Sequence, residues 1–405
     1  MAIKAGQILH DANGFTVDRI QTGGVSSLNI PEEKIYELGN YETVATVRDI
    51  ADLTFDVESL DVSTEIEALI LGKDPTTIVN GQALDFAEAL PMDVVSPFKA
   101  SGAFNIVKGI AIPYLTLESA TYRFGVRQNS TQSFSFKGDS VYYVPGTPKY
   151  QAFTLVDNTL SYNFANTALS YSEGGDTYYA LSVCVKGEVA NIYKRLFLGT
   201  DYTNTSAGIT LLADWYDSGY RTMHVVYGTA TAATYSSAVH QGVAVKPATV
   251  RGKDIDVYIT DPSLSTPSLV RWSGVQSFEV TRRVNLEADE EFGNYHFVSQ
   301  EYDTADVTGS ITVRPSTDTD LFEKVRQVAN ISSTSAIIGP YSSSPLEVEL
   351  RVSDPDTGAR LKTLYIEDAR FLIPNIQGQV QQKTQVTFSF TSDGGNLVPY
   401  KGARA

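Results

Sequence analysis

Residues 37–54, ELGNYETVATVRDIADLT, return at 291–308 as EFGNYHFVSQEYDTADVT. Nine of the eighteen positions are identical at a constant offset of 254: Glu37/Glu291, Gly39/Gly293, Asn40/Asn294, Tyr41/Tyr295, Val44/Val298, Asp49/Asp303, Ala51/Ala305, Asp52/Asp306 and Thr54/Thr308. Chance would supply roughly one, because an average residue type recurs at about 5–7%. A second block keeps the register. VRQNSTQSFSFKGD at 126–139 faces VQQKTQVTFSFTSD at 380–393, with Val126/Val380, Gln128/Gln382, Phe134/Phe388, Ser135/Ser389, Phe136/Phe390 and Asp139/Asp393 identical. Two ordered blocks at one offset mean a duplicated unit, so the chain must build the same architecture twice. The offset assigns 1–142 to a first copy and 248–405 to a second, and leaves 143–247 as an insert.

Local patterns give the unit its class. Leu346-Glu-Val348-Glu-Leu350-Arg-Val352 alternates apolar and polar residues and runs into Asp354-Pro-Asp-Thr-Gly358, strong turn chemistry. Phe134-Ser-Phe136 and Val386-Thr-Phe388-Ser-Phe390 alternate too. Period two with a polar opposite face predicts strands lying on a core. Between the blocks each copy carries one helix candidate. Ser63–Ile70 has a capping residue, acidic residues in its first turn and Gly72 as a stop, and Asp318–Val325 matches it with Arg326 near its end. Ile66 and Ile70 correspond to Leu321 and Val325, an apolar face to lie on a sheet. The 23 Tyr and 18 Phe, with 30 Gly and 16 Pro, agree with pleated structure. The expected class is therefore all-β dominated with a few short helices. The insert, rich in Tyr, Thr, Ser and Ala and holding strand-like Leu181–Val185, reads as an immunoglobulin-like β module.

Charge and cysteine content exclude several functions. With 31 Lys+Arg against 47 Asp+Glu the formal charge is −16, which argues against gripping nucleic-acid phosphates on a basic surface. The acidity sits in the copies: −9 over 1–142 and −6 over 248–405, against −1 in the insert. Cys184 alone can form neither an internal disulfide nor a structural zinc site, and its alternating apolar surroundings read as core. The first residues lack a signal-peptide pattern and no 18-residue apolar run occurs, so a soluble protein made in a cytoplasm is expected.

Catalytic and metal motifs are missing from the sequence. His10, His224, His240 and His296 form no zinc-ligand spacing. There is no phosphate loop, no Gly-x-Ser-x-Gly elbow and no dinucleotide fingerprint. The run Glu287–Glu291 lacks a calcium loop's spacing and reads as a solvated hairpin face, and Asp354–Asp356 as a turn. Asn129-Ser-Thr and Asn330-Ile-Ser match glycosylation sequons without a secretory context. Tyr178, Tyr179, Trp215, Tyr216, Tyr220 and Tyr227 could form a glycan-contacting face, or the core and cross-strand pairs of the insert. No catalytic residue, cofactor or metal is expected. The alternative functions are a β-sandwich adhesin that binds glycans and an all-β hydrolase.

The ordered motifs resemble a family. Gly274-Val-Gln-Ser-Phe-Glu-Val280, Glu287-Ala-Asp-Glu-Glu-Phe-Gly-Asn294 and Ala305-Asp-Val-Thr-Gly-Ser-Ile311 before a short helix resemble bacteriophage tail tube (major tail) proteins. Arg251-Gly-Lys-Asp-Ile-Asp-Val-Tyr-Ile259 looks like that family's lead-in strand. Gly24-Val-Ser-Ser-Leu28, Glu37-Leu-Gly-Asn40 and Ala51-Asp-Leu-Thr-Phe55 repeat the pattern in the first copy. The resemblance covers both copies and leaves the insert out. It implies two tandem β-sandwich, barrel-forming tube domains around an inserted β domain. It implies a structural virion protein, not an enzyme, that self-assembles into stacked rings as the conduit for genome ejection. The duplicated type implies trimeric rings of a long flexible tail, with hexameric rings as the alternative. Its implied partners are further copies of itself and the tail terminator, tape measure and baseplate or tip proteins. Genomic DNA would pass through without specific binding, and no membrane is implied. Glu37, Gly39, Asn40 and Tyr41, with Glu291, Gly293, Asn294 and Tyr295, match the hairpin region expected to contact neighbouring rings; Gly and Asn also suit a positive-φ turn there. An acidic lumen lined by the two copies, with the insert outside, is the corresponding expectation.

Overall fold

Alternating apolar residues become strands wherever their inner face finds a partner layer. The computed structural model describes residues 11–404 except 18–19, 37–42, 49, 61, 100–104, 174, 188–192, 231–232, 235–249, 263, 265, 267, 292–295, 330, 332–344, 373, 375, 378–383 and 393. The described chain is mostly β-strand, its strand ladders are antiparallel, and two α-helices accompany them. The first copy supplies β1 (Ile20–Asn29), β2 (Asp52–Ser59), α1 (Glu65–Ile70), β3 (Met92–Lys99), β4 (Asn105–Gly125) and β5 (Thr131–Gly138). The second supplies β6 (Val275–Asp289), β7 (Ser299–Val313), α2 (Asp318–Val328), β8 (Leu346–Ser353), β9 (Arg360–Phe371), β10 (Gln385–Ser392) and β11 (Leu397–Lys401).

The offset seen in two short blocks runs through most of the ladder; in β1 a bulge at Ser26 shifts it by one residue, so that Val25↔Phe55 answers Val280↔Gly309. Met92 and Leu346 open equivalent strands, as do Thr131 and Gln385, each pair 254 apart. Pairing registers coincide as well. Leu53↔Gly138 corresponds to Val307↔Ser392, Leu117↔Phe136 to Phe371↔Phe390, and Val94↔Ile112 to Val348↔Ile366. Even the irregularities repeat: Tyr114 and Asp368, 254 apart, hold φ of +57° and +52° beside matching bulges. A non-glycine residue in that region is uncommon and needs its surroundings to hold it there.

The helices differ in detail from the sequence reading. α1 is preceded by Thr64, whose side chain makes no cap bond, and Ser63 is not the cap. Gly72 stops it as expected, at φ +64°, with Lys73 N–H donating to Ala68 O. In the second copy Thr317 is the cap, accepting from Asp320 N–H, and the helix continues to Val328. Ile66 and Ile70 are buried, whereas Leu321 and Val325 are only partly so. α2 instead buries Gln327 and Val328, the Gln327 amide bonding to Trp272 Nε1 and Ile259 O. The lead-in segment forms a 3-10 turn at Gly252–Asp254 before its strand begins at Ile255.

Apolar side chains of both copies join one cluster that includes Phe55, Phe134, Phe136, Phe278, Phe388, Phe390 and Trp272. Between the copies, Thr147–Thr154, Tyr220–Thr229, Ser182–Gly187 and Tyr193–Arg195 form a four-stranded sheet, and Ser161–Asn163, Gly208–Leu211 and Tyr202–Thr205 a three-stranded one. Both sheets feed a separate cluster that includes Val185, Val225, Tyr162 and Ile209.

Candidate assembly surfaces

The two copies are joined by backbone pairing. The second half of β4 runs antiparallel to β6 from Gly125↔Ser277 to Ser119↔Arg283, and Val126 N–H donates to Gln276 O at 2.8 Å. The order β1-β2-β5-β4-β6-β7-β10 is thus one continuous sheet. Across the seam the Thr121 and Thr281 hydroxyls lie 3.0 Å apart, Arg123 Nε donates to Glu279 at 2.8 Å, and the rings of Phe124 and Phe278 are 6.4 Å apart. The ion pair is exposed, worth about 0–1 kcal/mol; the ladder and the buried rings carry the seam.

A second joint lies behind this sheet. Lys362 of β9 reaches Glu67 of α1, and its ammonium also donates to Gln132 Oε1 at 2.8 Å. Tyr122 Oη donates to Glu67 at 2.8 Å. Lys362 and Glu67 are fully buried. A buried ammonium is tolerated only with such partners. The C-terminal strand adds backbone bonds to the first copy, including Leu84 N–H to Pro399 O at 2.8 Å and Gly81 N–H to Lys401 O at 2.7 Å. No motif pointed to this joint, although a carboxylate one residue from Ile66 in so short an apolar helix was its signal.

The face opposite the core is polar. On the seven strands it carries Asp52, Asp56, Glu58, Glu118, Glu279 and Asp306 with Lys137, Arg123 and Arg283 among Ser and Thr. Lys137 pairs with Asp52 at 3.0 Å and Arg283 with Glu118 at 3.6 Å.

Of the expected ring-contacting residues, Glu37, Gly39, Asn40, Tyr41, Gly293, Asn294 and Tyr295 lie outside the described residues. Glu291 is exposed just past the end of β6, and the acidic run Glu287–Glu291 is solvated, as a hairpin face would be. The base of that hairpin is pinned by a buried group the sequence did not reveal. Asp139 Oδ2 accepts from Arg195 NH1 of the insert at 2.5 Å and from Phe297 N–H at 2.9 Å, and His296 Nδ1 lies 3.5 Å away. Tyr193 Oη donates to Gln300 O at 2.7 Å. Burial alone would raise the Asp139 pKa, but the Arg195 guanidinium, His296 and Ser140 together hold the carboxyl well below the usual range. One carboxylate thus ties first copy, insert and second copy together.

The insert's aromatic residues pack mostly against one another and its core. Phe164 stacks on Tyr227 at 4.6 Å, Tyr171 on Tyr178 at 5.0 Å, and Trp215 meets Tyr220 edge-on at 5.7 Å. Cys184 is buried on the strand face opposite the apolar cluster, near Lys186, Asp93 and Arg195, and burial pushes its thiol up to about 12. Asp157 from one turn and Asp214 and Asp217 from another bring their carboxylates within 4.8 Å of one another, and Asp214 already accepts from Asn158 and Tyr216 N–H groups.

No family model matches the chain, and no curated protein matches it significantly. Among solved structures it is similar to a component of the anti-feeding prophage baseplate, a sixfold-symmetrised cryo-EM structure. That likeness has 10% identity, covers 36% of this chain and 92% of that one, and has a TM-score of 0.27. It is also similar to a component of the tail of the empty GTA particle, refined with C6 symmetry: 15% identity, 36% and 96% coverage, TM-score 0.23. The structural similarity is thus to phage-like tail and baseplate components over about a third of the chain. Likenesses this slight decide neither fold family nor function. No described helix is long and apolar enough to cross a membrane.

Proposed function

We propose that this chain is a structural protein without catalytic activity, a tube subunit that self-assembles into the stacked rings of a phage-like tail. The observation that carries the reading is the seam of β4 and β6: a duplicated β unit extends its sheet by adding a second unit edge to edge. A chain that repeats this step with further chains closes a barrel and leaves no open sheet edge. In this reading residues 1–142 and 248–405 are the two tube domains and 143–247 an immunoglobulin-like domain carried on the outside. Three chains then supply six units to each ring. The polar, carboxylate-rich face lines the lumen, where like charge keeps a passing genome from sticking. The hairpins around Glu37–Tyr41 and Glu291–Tyr295 meet the next ring. The tail is the site of action, with assembly in the host cytoplasm.

Electron microscopy of the purified protein, with light scattering on the same sample, tests this. Hollow rings or tubes with threefold end views are expected. Six chains per ring would overturn the stoichiometry, and a monodisperse monomer at all concentrations would overturn the reading.

A further inference from the structure

One buried lysine lacks the kind of partner that others in the chain have. Lys324 and Lys362 are buried, and each meets a carboxylate, Asp320 and Glu67 respectively. Lys186, on the insert strand Ser182–Gly187, is 3% exposed, yet its ammonium donates only to Pro91 O, at 2.9 Å. Among the described residues no carboxylate forms an ion pair with it. Asp93, whose carboxyl senses the Lys186 charge, accepts instead from Tyr114 N–H at 3.0 Å, and burial pushes its pKa up. Two ammonium N–H donors are left over. A buried charge so placed is costly until something pairs with it.

Lys186 lines a cleft of about 600 Å³ between the insert and the first copy, within the ~300–1,000 Å³ usual for small-molecule sites. Phe15, Leu71 and Leu90 form the wall of the first copy, and Tyr150 and Ala152 that of the insert. Gly14, at φ +84°, lets the first copy's turn press on the Tyr150 ring, which a Cβ there would approach to 3.0 Å. His224 also lines the cleft but adds no charge. Its nitrogens are engaged by the Tyr150 hydroxyl and by Thr222 Oγ1, and burial holds its pKa well below the usual value. Lys73, in the same lining, is already paired with Glu88 at 3.2 Å.

We infer that this cleft binds a small organic acid as its monoanion, the carboxylate on the Lys186 ammonium and the apolar body against Phe15, Leu71, Leu90 and the Tyr150 ring. Asp74 and Glu88 in the lining oppose a second negative charge on the ligand. The apolar walls gain only from a ligand with hydrocarbon to bury, which disfavours an inorganic anion. The site does not depend on how the chain assembles, so its failure leaves the tube reading standing.

Isothermal titration of the full chain tests it with three probes: octanoate, octanamide (the same body without the charge) and inorganic phosphate (charge without the body). Octanoate is expected to saturate at one per chain, with octanamide and phosphate at least about tenfold weaker. Lys186→Met is expected to weaken octanoate at least about tenfold and to leave octanamide unchanged. Ala152→Trp, at an exposed position of the wall, is expected to abolish binding of both by filling the cleft. No saturable octanoate binding up to about 5 mM, or binding that survives both variants, would overturn the site. Phosphate bound as tightly as octanoate would overturn the ligand class. Should Lys186→Met misfold, the unmodified chain and Ala152→Trp decide: equal affinity for acid and amide refutes the role of Lys186, and undiminished binding to Ala152→Trp refutes the cleft.

Discussion

Replacing Lys362 by methionine probes the joint that makes two copies one body. The ammonium is fully buried, reaches Glu67 and donates to Gln132 at 2.8 Å. Its removal leaves the Glu67 carboxylate with the Tyr122 hydroxyl as its remaining side-chain hydrogen bond, while Glu67 Oε2 already lacks a partner. Breaking a buried pair on one side costs about 3–5 kcal/mol, because the surviving charge keeps its desolvation penalty without compensation. Lys362→Met is expected to lose that much. Adding Glu67→Gln, which is neutral and still accepts from Tyr122, is expected to restore the protein to within about 1–2 kcal/mol of the parent. The coupling in the double-mutant cycle is then at least about 2 kcal/mol. Equilibrium urea unfolding reads it through Trp272, buried in the shared cluster, with Trp215→Phe as background. A loss below about 1 kcal/mol for the single variant, or simple additivity in the double, would refute the claim that this pair is buried and coupled.

Acid should loosen the joint at Asp139. Its folded pKa is depressed, so its contribution is present above the unfolded value of about 3.9 and is lost as pH falls from there toward the folded value. The stability gap between the parent and Asp139→Asn is expected to be constant from pH 7 to about 5 and to close below about 4; a gap independent of pH down to 2.5 would sink the assignment. Gly309 marks where the copies repack. A Cβ there would lie 2.2 Å from the Phe390 ring and 2.8 Å from Glu279 O, and Phe390 is hemmed by Phe371 at 5.2 Å. Gly309→Ala is expected to cost about 1–3 kcal/mol in thermal unfolding, and an unchanged melting temperature would show the contact to be slack.

Phe55 occupies the position of Gly309 in the first copy and sits 6.3 Å from Phe136. The two copies thus solve one packing problem with different volumes: a phenylalanine stands beside Phe136 where a glycine stands beside Phe390. Strand alternation, the Asp354–Gly358 turn and the Gly72 stop were legible because each depends on neighbours a few residues away. Asp354 Oδ1 accepts from Asp356 and Thr357 N–H groups at 2.8 and 2.9 Å, and Gly358 has φ +70°. The helix spans read from the sequence begin at Ser63 and Asp318, whereas the residues before the first turns are Thr64, which makes no side-chain cap bond, and Thr317, which caps Asp320 N–H.

By itself the sequence determined that a β unit occurs twice, in one direction and at one spacing, since periodicity and turn chemistry are properties of short segments. Only the tertiary structure decided that the copies share a sheet through β4 and β6 and a core behind it. It alone set Lys362 against Glu67, 295 residues apart, and Arg195 against Asp139. A lysine or an aspartate in a strand reads as a solvent-facing residue until another segment covers it. Which segment arrives is settled by the burial of the whole apolar cluster, a sum over distant residues that no short stretch of chain contains.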